Sequence, residues 1–254
     1  MKSTYILAVN VLVIAVVLGG VAGFVWWQNG FEERLPIRGD QVAVGLVPDD
    51  GTYIAARYYA SPGKVEQRGV ILLHMFSSNQ NAWNNLAAEL QDRNFEVMTL
   101  DFRGHGDSDG EESALKEADY AQMVNDAAEA VEYLYDLNAD MNIAVMGAGL
   151  GANVAMQLAS RDESLAAAVL VSPQHNYRGV KITKLNKSFT RPVYFLVSRF
   201  DTVSLTATET LYQDNPATTK ELRIAEEAKG RGTKLLNKAP KLRDAIIGWL
   251  EITL

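Results

Sequence analysis

The chain of 254 residues has a mass of 27.9 kDa, a formal net charge of −7 and a sequence pI of about 5.1. Hydrophobic residues make up 48% and charged residues 22%, which excludes disorder as the main state and is enough for one large core. There is no cysteine, and the histidines are His74, His105 and His175. This excludes disulfide frameworks and thiolate chemistry, speaks against a multi-histidine metal centre, and with the acidic balance argues against nucleic-acid binding.

Residues 5–27 carry one clearly polar side chain, Asn10, and end in Trp26 and Trp27. As a helix rising 1.5 Å per residue this run reaches about 34 Å, enough to cross a bilayer core of roughly 30 Å, with the tryptophans at an interface. Gly20 and Ala22 keep a cleaved signal peptide open as an alternative. The length of the run and its terminal tryptophans favour an uncleaved transmembrane signal anchor over residues 1–27. Lys2 precedes it, while Glu32, Glu33, Arg34 and Arg38 follow. The expected topology is single-pass, with a cytoplasmic amino terminus and the soluble domain outside the cytoplasm. Residues 28–40, with Gly30, Pro36 and Gly39, read as a tether.

Residues 41–254 read as one domain. Segments 41–47 and 53–60 flank Pro48-Asp49-Asp50-Gly51, the signal of a β-hairpin. Strands are predicted at 70–74, 95–100, 142–146, 166–171, 192–198 and 221–225. Helices are predicted at 81–93, 119–137, 150–160, 204–213 and 240–252, the last with Pro240 suited to its first turn. Apolar strands alternating with amphipathic helices imply a mostly parallel sheet covered on both faces. Residues 101–140 hold twelve acids against Arg103 and Lys116, and residues 178–191 hold five basic residues and no acid. Each is read as a solvated face; the alternative is docking to an acidic partner or an anionic membrane.

Several ordered motifs resemble the α/β-hydrolase superfamily, in a bacterial branch that includes esterases and dienelactone hydrolases. Leu72-Leu73-His74-Met75 stands where that family places its oxyanion loop. Asp101-Phe102-Arg103-Gly104-His105-Gly106-Asp107-Ser108 matches the family's turn after a strand. Gly147-Ala148-Gly149-Leu150-Gly151 occupies the nucleophile elbow, Asp201 the position of the catalytic acid, and Gly230-Arg231-Gly232-Thr233 that of the catalytic histidine. Ser172-Pro173 and Tyr177-Arg178-Gly179 add to the likeness. The resemblance implies an α/β-hydrolase fold, with the backbone of Met75 and Leu150 as oxyanion donors.

The chemistry departs from that pattern. Gly149 replaces the serine and cannot form an acyl-enzyme. Arg231 replaces the histidine and cannot act as a general base, because arginine stays protonated. Asp201 alone remains of the three groups a serine hydrolase needs. Gly149 suits an elbow that forces its central residue into a strained backbone region, and Arg231 is expected to pair with Asp201. His74, Ser77, Ser172 and His175 are the other residues placed near the cleft. The serines read more simply as turn hydroxyls, His175 as a loop residue, and His74 as a brace for the oxyanion loop. Asp101, Asp107 and Asp109 fit a plain turn better than a calcium site, and no cofactor or metal is expected. Gly147–Gly151 is not a dinucleotide fingerprint, since Ala152 stands where the last glycine is required.

The expected function is therefore a membrane-anchored, catalytically inactive hydrolase-like protein acting as an accessory, scaffolding or assembly subunit of a membrane complex. The alternatives are a ligand-binding module that retains the cleft, with Arg231 holding an anionic group, and a weak carboxylesterase using unconventional residues. Expected partners are the membrane and other proteins, with a small-molecule ligand as a further option and no nucleic acid.

Overall fold

The computed structural model describes residues 40–62 and 67–254; the anchor and almost all of the tether lie outside the described residues. No helix among the described residues is long and apolar enough to cross a membrane.

The chain runs β1 (Gln41–Leu46), β2 (Ile54–Tyr59), β3 (Arg68–Leu73), α1 (Asn84–Asp92), β4 (Glu96–Leu100), α2 (Glu117–Leu137), β5 (Asn142–Ala148), α3 (Leu150–Arg161) and β6 (Ala167–Val171). It continues through β7 (Asn176–Tyr177), β8 (Val180–Lys181), α4 (Thr183–Asn186), β9 (Val193–Ser198), α5 (Thr202–Asp214), β10 (Lys220–Ala225), α6 (Thr233–Lys238) and α7 (Pro240–Thr253). Eight strands form one sheet in the order β1-β2-β4-β3-β5-β6-β9-β10. Strand β2 is antiparallel to both neighbours, and every other pairing is parallel.

Strand alternation divides the core in two. Ile71, Leu73, Ile143 and Val145 face α2 and α3 through Met123, Ala127, Val154 and Leu158. Val70, Leu72, Ala144 and Met146 face α1, α6 and α7 through Leu86, Leu90, Leu235, Ile246 and Leu250. Both faces of the sheet are thus covered, as the apolar strands imply. The structure adds the β7–β8 hairpin and the helices α4 and α6, all too short to leave a periodic signal.

Parallel strands bring their carboxyl ends to one edge, so the loops after β3, β4, β5, β6, β9 and β10 gather there. The chain enters at the other edge. Gln41 pairs with Tyr59, which lies level with Val97, Val70 and Ala144 near the start of β5.

Candidate functional site

The turn from β5 into α3 is the centre of the gathered loops. Gly149 stands at its tip with φ 54° and ψ −115°, a backbone region that disfavours a Cβ. Its flanking glycines are required for a different reason. A Cβ at Gly147 would lie 2.0 Å from the carbonyl oxygen of Gly151, and one at Gly151 would lie 2.2 Å from that of Leu73. At Gly149 itself the nearest atoms to such a Cβ are Met75 Cβ at 3.6 Å and Tyr177 Cε2 at 3.9 Å, ordinary contact distances. The tip therefore has room for a side chain that the sequence does not supply.

Donors surround the tip. Leu150 opens α3, so its N–H has no partner within the helix. The N–H of Met75 meets no backbone carbonyl among the described residues. The adjoining His74 is fully buried: its Nε2 accepts from Phe102 N–H at 3.0 Å, which leaves Nδ1 to donate to the Met75 carbonyl at 2.7 Å. Burial, only partly offset by the Met75 hydrogen bond, brings the imidazole down to about 3, so it stays neutral. His74 thus braces the loop after β3 from within the core and has no exposed surface toward the gathered loops.

Arg231 and Asp201 come together from the loops after β10 and β9. Arg231 Nε lies 3.7 Å from Asp201 Oδ2, an ion pair without a hydrogen bond. Asp201 caps α5 by accepting from Ser204 N–H at 3.2 Å. Its Oδ2, and Nε and Nη2 of Arg231, are buried without a hydrogen-bond partner. The loop that carries Arg231 packs on the elbow: Gly232, at φ 53°, would place a Cβ 2.6 Å from Met75 Sδ and 3.2 Å from Ala148 Cβ.

The remaining expected residues are held elsewhere. Ser172, at φ 55°, is buried under the final loop and accepts from Gly232 N–H at 3.1 Å. Ser77 is exposed and donates to Glu112 Oε1 at 2.7 Å. Nδ1 of His175 lies 3.2 Å from Thr183 Oγ1, and His105 lies beside Glu112 at 3.4 Å. None of the three histidines has a hydrogen bond to a serine among the described residues; the hydroxyls of Ser77 and Ser172 hold Glu112 and Gly232 instead.

The sequence reading did not single out Tyr177 or Asn153 for the site. The Tyr177 ring lies over Gly149 and 5.6 Å from Arg231 Cζ. Asn153, a buried amide inside α3, donates to Gln174 O at 2.8 Å and Val180 O at 2.7 Å and accepts from Gln174 N–H at 3.1 Å, so it fixes the hairpin that carries Tyr177. Arg178, at the hairpin tip, stacks its guanidinium 3.8 Å from the Phe76 ring centroid. A polar residue within the apolar run of α3 was the one local signal of this roof.

A family model described as "Serine aminopeptidase, S33" matches residues 65–191, half of the chain. The chain belongs to the α/β-hydrolase superfamily. This α/β-hydrolase is 26% identical to monoglyceride lipase of Mus musculus over 129 residues, 50% of its own length and 42% of that protein's. It is 31% identical to an uncharacterised protein of Mycobacterium tuberculosis over 90 residues, 35% of the chain and 24% of that protein. The matches thus span less than half the length of these curated relatives. Among solved structures, an esterase of Pyrococcus furiosus superposes with a TM-score of 0.71 at 18% identity, covering 84% of this chain and 93% of that one. An acetyl xylan esterase from a Paenibacillus species superposes with a TM-score of 0.70 at 17% identity, covering 87% of each chain. At these identities the superpositions establish the fold.

Proposed function

We propose that this α/β-hydrolase is a non-catalytic member of its superfamily, anchored in a membrane by residues 1–27 and acting as an accessory or assembly subunit of a membrane complex. The observation that carries the reading is the elbow, a nucleophile turn at φ 54° built around a residue with no side chain. Arg231 beside Asp201 supports it, because a permanent cation there leaves no acceptor for a nucleophile's proton. The oxyanion donors alone would leave catalysis orders of magnitude below that of an intact triad. β1 starts level with Ala144, roughly 16 Å along β5 from Gly149. An anchor ahead of β1 would therefore attach at the sheet end away from the elbow, leaving the gathered loops free for a partner.

Ester hydrolysis by the detergent-solubilised full chain tests the catalytic half of the proposal, beside the double variant Gly149→Ser/Arg231→His and across acyl chain lengths. The wild type is expected at background and the variant above it. Enzyme-like turnover by the wild type, with labelling by a serine-directed phosphonate, would favour the weak carboxylesterase and overturn the proposal. Purification from native membranes tests the other half: fixed partners are expected, and a lone monomer would refute the scaffolding role.

A further inference from the structure

We infer that the open edge of β10 pairs with β10 of a second copy of this chain, antiparallel about a two-fold axis at Leu222, so that two eight-stranded sheets join into one. The inference goes beyond the proposed function and does not depend on it, since an active hydrolase can present the same edge.

The sheet ends at β10, which has β9 on one side and no strand on the other among the described residues. Val193 N–H donates to the Thr219 carbonyl and Arg199 N–H to the Ala225 carbonyl, both at 3.0 Å. Odd-numbered residues of this stretch thus turn their backbone toward β9. The N–H and C=O groups of Lys220, Leu222 and Ile224 consequently point to the open side. A row of such groups is a template for another strand unless the edge is blunted. β10 contains no proline and pairs with β9 residue for residue, without a bulge. A groove of about 780 Å³ runs beside it, between residues 222–225 and residues 239–242 around the start of α7.

The letters of the strand select its occupant. In an antiparallel pair, outward-pointing residues stand opposite outward-pointing residues, so the axis of a self-pairing must fall on a residue and not between two. An axis at Glu221 sets that carboxylate against its own copy, and one at Arg223 does the same with the guanidinium. Like charges directly opposite are destabilising. An axis at Lys220 or at Ile224 forms no pair of opposite charges between Glu221 and Arg223. An axis at Leu222 sets Glu221 of each copy against Arg223 of the other, twice, on a face where both are exposed.

The other face agrees with the same register. Leu222, half-buried and packed against the core, meets its own copy there, and Ile224 lies against the stem of Lys220. The Nζ of Lys220 is held by the carbonyls of Tyr212 at 2.9 Å and Asn215 at 2.6 Å, so its charge stays clear of that contact. A foreign strand would need to bring matching charges and apolar residues in this order, whereas a second copy carries them.

The chain has no cysteine, so a single engineered one reports on the axis. In the detergent-solubilised full chain, Leu222→Cys is expected to form a disulfide-linked dimer on mild oxidation. Opposed residues at that position stand about 5.5 Å apart between Cα atoms, inside the roughly 4.4–6.8 Å that a disulfide spans. Adding Glu221→Arg sets arginine against arginine twice and is expected to cut the yield of that dimer at least tenfold. Adding Arg223→Glu to both exchanges the charges and is expected to restore it. Both positions are exposed, so the exchange stays on the surface. The protein mass of the wild type by light scattering is expected to be that of two chains, with slow hydrogen exchange at the amides of Leu222 and Ile224. The inference is overturned by a monomeric wild type, by a dimer in which Leu222→Cys stays reduced, or by a cross-link indifferent to Glu221→Arg. Slow exchange at those amides in a monomeric chain would assign the edge to another segment and overturn it equally.

Discussion

Two turns leave the same end of the sheet, after β4 and after β5, and they are finished very differently. In the first, Asp101 accepts from Gln80 N–H at 2.6 Å, Gln80 Nε2 at 3.0 Å and Asp107 N–H at 3.0 Å. Ser108 Oγ accepts from Ala55 N–H at 2.9 Å and donates to the Asp101 carbonyl at 2.6 Å. Arg103 binds Asp126 at 2.6 Å and Asp50 at 2.7 Å. Gly104 and Gly106 take positive φ where Leu115 and Asp101 leave no space for a Cβ. In the second turn the backbone is built as tightly, but Gly149 carries no side chain, and the ion pair of Asp201 and Arg231 is made without a hydrogen bond. The first turn is a network in which Asp101, Arg103 and Ser108 each tie neighbouring segments together. The second keeps only the parts that packing demands, which separates what the fold needs from what hydrolysis would need.

The largest expected effect falls on the first turn. Asp126→Ala leaves the guanidinium of Arg103 buried with Asp50 as its one remaining carboxylate, and should cost about 3 kcal/mol in urea unfolding. A loss under about 1 kcal/mol would show that this network is dispensable. The second turn should split internally. Gly151→Ala drives a Cβ into the Leu73 carbonyl and is expected to cost roughly 2–3 kcal/mol, while Gly149→Ala meets only ordinary contacts and should cost about 1 kcal/mol from its positive φ. Equal losses at the two positions would break the distinction between packing glycines and the substituted tip.

His74 links the turns through Phe102 and Met75, and its neutral form gives acid a handle. Its folded value, about 3, lies below the ordinary 6.5. Between these values the unfolded chain holds the extra proton, so the contribution is complete above pH 6.5 and is lost as pH falls toward 3. The expected slope is up to about 1.4 kcal/mol per pH unit, flattened in His74→Gln, as read from urea midpoints against pH. The smallest effect belongs to the roof. Arg178→Ala removes the stack on Phe76 and should cost about 0.5–1 kcal/mol while increasing hydrogen exchange in residues 176–181.

Much of the fold was legible because its signals are local. The predicted helix over residues 119–137 is α2, begun two residues earlier at Glu117, where Asp119 folds back on Lys116 N–H as a cap. The predicted hairpin around Pro48–Gly51 is β1–β2. The glycine at position 149 and the arginine at position 231 were equally legible, since residue identity is a property of letters. The roof was not. Tyr177 reaches Gly149, and Asn153 reaches Gln174 and Val180, by contacts that no periodicity encodes. Ser172, positioned in sequence like a spare nucleophile, turned out to support Gly232 from 60 residues away.

The sequence by itself determined the layered α/β architecture, the backbone course of the elbow and the presence of glycine at 149 and arginine at 231. Strand alternation, helix period and the freedom of glycine at positive φ all act within a few residues. Only the tertiary structure decided that Arg231 faces Asp201 at 3.7 Å without a hydrogen bond, that His74 is locked neutral behind Met75, and that Tyr177 covers the tip. Those facts depend on which loops the parallel sheet gathers at one edge and how closely their side chains approach, and such distances are fixed by packing among residues far apart in the chain.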